Sequence, residues 1–96
     1  MEITDEILNA ITEHAELQFL PTQIELILSL PTAMLSIAVE KQSGPLHVAY
    51  LTGTLKAEAA LRKSIYTMAK SGSSPAQKQF IALIEKREKM QKKRVR

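Results

Sequence analysis

Hydrophobic positions recur along this chain at intervals of three and four, the period of a helix with one buried side. Ile7, Leu8, Ile11 and Ala15 form the first such stripe. Thr4 precedes it as a cap, Asp5 and Glu6 suit the positive end of the helix dipole, and Ile3 and Leu8 are spaced for a hydrophobic staple. Phe19 and Leu20 close the segment before Pro21. A second, short helix follows from Thr22 to about residue 29, with Thr22 and Glu25 at capping-box spacing and Ile24, Ile27 and Leu28 facing inward. Pro31 ends it, because proline lacks the N–H and pushes Leu30 out of helical geometry. A third helix is predicted from about Thr32 to Lys41, with Met34, Leu35, Ala38 and Val39 apolar.

Gln42-Ser43-Gly44 reads as a turn, and a long fourth helix spans about 45–71. Ala57, Ala60, Leu61, Ile65, Met68 and Ala69 share one side of it. Leu51, Leu55 and Ala59 form a second apolar strip, so this helix calls for more than one partner surface. Gly72 suits the left-handed stop. Ser74 is placed to cap a fifth helix, with Pro75 at its first position, Gln77 three residues on, and Phe80, Leu83 and Ile84 as its apolar face. From Lys86 the pattern gives way to a basic run that either continues as a solvated helix or frays. The reading is all-α: about five helices, with a helix-turn-helix unit at 22–41 packed on the long fourth helix. It divides into a helical domain over 1–85 and a basic tail over 86–96. The four methionines are read as core filler.

The 96 residues carry a net charge of +3 that hides an asymmetry. Residues 1–40 hold seven acids and no base; residues 41–96 hold thirteen bases and three acids. A basic end of this kind meets polyanions, or the acidic half of another copy. Lys86, Arg87, Lys89, Lys92, Lys93, Arg94 and Arg96 are the candidate phosphate contacts. In the third helix the candidates are Thr32, Ser36 and Lys41. The outer positions Thr32, Ala33, Ser36, Ile37 and Glu40 offer base edges little charge, so that helix is expected to discriminate sequences weakly. Leu51, Leu55 and Ala59 are the candidate oligomerisation residues.

No cysteine is present, and His14 and His47 make no recognisable metal set. Ser64 and the Ser71–Ser74 cluster have no evident base, and the three glycines are isolated. Neither catalysis nor a cofactor is expected. No apolar run approaches a membrane span and no secretory signal opens the chain, so a cytoplasmic location is expected.

Read in order, several groups resemble the helix-turn-helix region of bacteriophage terminase small subunits. They are Ala49, Tyr50 and Gly53; then Arg62, Lys63, Ser64, Ile65 and Tyr66; then Ala69, Gly72, Ser73, Ser74, Pro75 and Ala76. The resemblance covers about residues 22–84. It implies binding of double-stranded DNA at packaging sites in a bacterial host cell, a homo-oligomeric ring, and a terminase large subunit as partner. Two other readings stay open: a helix-turn-helix regulator of a mobile element, and a protein–protein adaptor that binds no DNA.

Overall fold

A computed structural model describes residues 2–94, with side chains described through residue 91. Five helices follow one another: α1 (Asp5–Glu16), α2 (Pro21–Ile27), α3 (Met34–Lys41), α4 (Gly44–Lys70) and α5 (Ser74–Arg94). No strand occurs among the described residues. The expected all-α architecture, with a helix-turn-helix unit against a long fourth helix, is what forms. By packing, the chain divides inside α4 into residues 1–58 and 59–96.

The helix ends share one chemistry. After α1, α2, α3 and α4 the chain passes through a left-handed residue: Gln18, Ser29, Gln42 and Gly72. The next N–H then returns to the carbonyl five residues back: Phe19 to His14, Leu30 to Glu25, Ser43 to Ala38, and Ser73 to Met68. This is the Schellman closure, which satisfies carbonyls the helix itself leaves unpaired. Only one of the four left-handed positions is glycine. Side chains elsewhere accept the modest strain of that conformation because the surrounding packing fixes it.

In the first unit, Ile11, Ala15, Ile24 and Leu35 are fully buried, joined by Leu30, Leu46 and Ala49. Burying each large aliphatic among them contributes roughly 1.5–3 kcal/mol. α1 is placed as its pattern predicts: Thr4 Oγ1 accepts from the Ile7 N–H at 3.3 Å, and the Ile7–Leu8–Ile11–Ala15 stripe faces the core.

α1 crosses α4 closely. The Thr12 hydroxyl donates to the Ala49 carbonyl at 3.0 Å, and the Tyr50 hydroxyl donates to the Phe19 carbonyl at 3.1 Å. Burial pushes the Tyr50 phenol pKa up from its ordinary value. A Cβ on Gly53 would overlap the Thr12 carbonyl and lie 2.6 Å from Ala15 Cβ. Ala49, Tyr50 and Gly53, spaced one and three apart, are therefore the contact that lets two helix backbones meet.

Several local expectations are corrected. α2 begins one residue earlier, at Pro21, and its start is closed by Gln23, whose Oε1 accepts from the Leu20 N–H at 2.9 Å. Glu25 is thereby released from the capping role its spacing suggested. Ile27, expected in the core, is 47% exposed. α3 begins at Met34, because Ala33 is left-handed and cannot belong to it. The cap of α5 is Ser73, whose Oγ accepts from the Ala76 N–H at 3.4 Å, with Ser74 inside the helix. Leu61 and Met68 are exposed despite the α4 periodicity, and Met90 is exposed too, so these methionines fill no core.

Candidate nucleic-acid interface

The second unit is a helix–turn–helix of another kind, made from the end of α4, the Gly72 turn and α5. Tyr66 and Phe80 rings meet at 5.2 Å, tilted by 45°. Such an aromatic pair adds about 0.5–1.5 kcal/mol to its area burial. Gln77 Nε2 donates to the Ala69 carbonyl at 3.1 Å, and Ala76 is buried in the turn. Lys70 Nζ lies 5.3 Å from the centre of the Tyr66 ring, within cation–π reach.

This unit holds eleven basic residues and two acids, a net charge of +9; residues 1–58 hold eight acids and two bases, a net −6. α5 continues as helix through Arg94, so the sequence-predicted contacts Lys86, Arg87, Lys89, Lys92, Lys93 and Arg94 fall on helical backbone. The side chains of Lys92, Lys93 and Arg94, and all of Arg96, lie outside what the structure describes.

Along α5, Ala76, Phe80, Leu83 and Ile84 share one side and are buried or half-buried. Lys78, Lys86 and Lys89 fall on the far side, all exposed, with Glu85 on the same strip as Lys78 and Lys89 and Glu88 on the neighbouring flank. Lys78 to Lys89 covers about 16 Å at ~1.5 Å per residue. Sequence reasoning missed Lys78, together with Arg62, Lys63 and Lys70 of α4, because it stopped at the densest run of charge. The signal that finds Lys78 is helical register: it is eleven residues before Lys89, about three turns.

The helix-turn-helix candidates fare differently. Thr32 and Lys41 are exposed. Ser36 is half-buried and already engaged: its N–H and its hydroxyl donate to Glu25 Oε2 at 2.8 Å and 3.0 Å. Glu25 is buried beneath the start of α3, where the Ala33 and Leu35 N–H groups also reach it. Burial raises the Glu25 pKa, but the donors together outweigh it and hold the carboxyl below its usual 4.5. The α3 N-terminus, which elsewhere meets an anion, is thus filled by the chain's own carboxylate. Of the oligomerisation candidates, Leu51 and Leu55 are 42% and 52% exposed, and Ala59 is exposed. Val48, three residues before Leu51, extends the strip at 58% exposure. On α4 it lies opposite the buried Leu46, Ala49 and Gly53.

His14 Nδ1 is bonded to the Ala10 carbonyl at 2.7 Å, and His47 Nδ1 is buried with no partner. Among the described residues no cluster could hold a metal ion, and no helix is long and apolar enough to cross a membrane. Comparison with protein-family models, with curated proteins and with solved structures found no match to this chain.

Proposed function

We propose that this chain is a non-enzymatic protein that binds double-stranded DNA through the basic unit 59–96, in the manner of the phage terminase small subunits it resembles. The observation that carries this reading is the charge of residues 59–96, eleven basic residues against two acids, with Lys78, Lys86 and Lys89 all exposed along α5. Lysines in a row neutralise phosphates without reading bases. α3 adds little sequence discrimination, because its serine is held by Glu25 and its exposed outer positions include Glu40. The exposed Val48–Leu51–Leu55 strip suits self-association, which presents several basic arms at once, and a terminase large subunit is the partner this role implies.

The test is salt-dependent binding of the full chain to random duplex. Changing Lys78, Lys86 and Lys89 together to Gln should lower the slope of log affinity against log salt by about 2–3, at ~0.9 per phosphate contact. Deleting residues 86–96 should weaken binding to all duplexes alike. An unchanged slope in both variants overturns the reading.

A second reading, a protein–protein adaptor, is favoured by one observation. Leu26 of α2 is 82% exposed, and Ile27 and Ile37 are each 47% exposed, an apolar rather than basic surface on the helix-turn-helix. Duplex binding separates the two.

A further inference from the structure

α1 carries the opposite charge in the same format as α5. Asp5, Glu6, Glu13 and Glu16 are all exposed and fall on the side of the helix away from the buried Ile11 and Ala15. From Asp5 to Glu16 the stripe runs about 16 Å at ~1.5 Å per residue. The basic stripe of α5, from Lys78 to Lys89, spans the same number of residues, with Glu85 the one acid along it. Each stripe has exposed aliphatic groups at hand: Leu17 follows α1 at 69% exposure, and Ile81 and Met90 lie on α5 at 54% and 55%.

We propose that α5 of one copy of this chain docks along α1 of a second copy, and that duplex DNA competes for the same lysines. The docking clause stands on the two stripes alone; the competition clause rests on the DNA reading above. A second copy is the favoured occupant because it supplies a helix of the right sign, length and apolar accompaniment at the protein's own concentration. The contact is heterologous: each copy offers a different face to each neighbour, so copies add head to tail. It is built mainly of surface charge, so salt weakens it as the screening length shrinks from about 30 Å at 0.01 M to about 3 Å at 1 M. It is distinct from any contact through Val48, Leu51 and Leu55, which salt does not dissolve.

The experiment is sedimentation of the full chain at low and high salt, with and without duplex DNA. Wild type should form larger species at low salt that shrink on adding either salt or DNA. The variant Glu6→Lys with Glu13→Lys should lose this salt-removable association at least about tenfold, and its apparent DNA affinity at low salt should not fall but rise, as the competitor for the lysines is removed. The variant Lys86→Glu with Lys89→Glu should lose it as well, and an equimolar mixture of the two variants should regain it. All four positions are exposed, and helix content by circular dichroism confirms that each variant is folded. A wild type of unchanging size across the salt range, or a charge-swapped pair that fails to associate, overturns the proposal. Association that follows the charge swap in a protein that binds no DNA upholds the docking and removes the DNA reading with its competition clause.

Discussion

The two packing units use their residues in opposite ways. Residues 1–58 bury three large aliphatic side chains completely, bring two helix backbones into contact at Gly53, and enclose a carboxylate with its donors. Residues 59–96 bury only Ala76 below a tenth of its surface among the described residues, and hold their turn with an aromatic pair, a serine cap and one glutamine. The first unit spends its sequence on packing and specificity of shape, the second on charge displayed along a helix. Short helices need tertiary contacts to persist, whereas a basic helix that meets a polyanion needs an open flank. The DNA reading proposed for the second unit therefore rests on what it leaves uncovered.

Two of the three glycines, Gly53 within α4 and Gly72 in the turn after it, sharpen this contrast. Gly53→Ala forces a methyl group against the Thr12 carbonyl and Ala15, backbone and Cβ atoms that cannot swing aside. It should cost about 3 kcal/mol or more, at the upper end of overpacking effects, seen as a large fall in thermal midpoint. Glu25→Ala comes next. It leaves the Ser36, Ala33 and Leu35 N–H groups without their acceptor and should cost about 1–3 kcal/mol in chemical denaturation. Wild type should show the matching pH dependence. The folded carboxyl titrates below 4.5, so its stabilisation is complete above that value and is lost as pH falls through the lower folded pKa. The acid sensitivity of the Ala variant should be correspondingly smaller; an equal acid loss in both would assign it to other carboxylates.

Gly72→Ala meets no atom within 4 Å, and its cost is only that of a non-glycine residue at φ +98°. About 1 kcal/mol is expected, confined to the second unit. Ser73→Ala removes one cap and should cost about 0.5–1 kcal/mol there. Hydrogen exchange distinguishes the units: both changes should raise exchange in α5 while leaving Ile11 and Leu35 amides protected. Equal loosening of the first unit would show that the two depend on each other for stability.

Much of the fold was legible because the signals are local. Thr4 and the Ile7–Ala15 stripe placed α1, Pro31 and Gly72 set breaks, and three-to-four spacing built α4 and α5. The misassigned caps have a shared cause. Ser73 and Ser74 are equally able to cap, and Thr22–Glu25 and Leu20–Gln23 have the same spacing, so local chemistry leaves two solutions. Tertiary context chose between them: Glu25 is more valuable under α3, where it meets several donors, than at the exposed start of α2.

By itself the sequence determined the helix count, the positions of the breaks and the separation of acid from base, since each depends on near neighbours along the chain. Only the tertiary structure decided that Gly53 is a contact rather than a flaw in α4, that Ser36 is held from within, and that Leu61 and Met68 stay exposed. Those outcomes depend on which surface arrives opposite a residue, and a periodic pattern states that a face is apolar without stating what covers it.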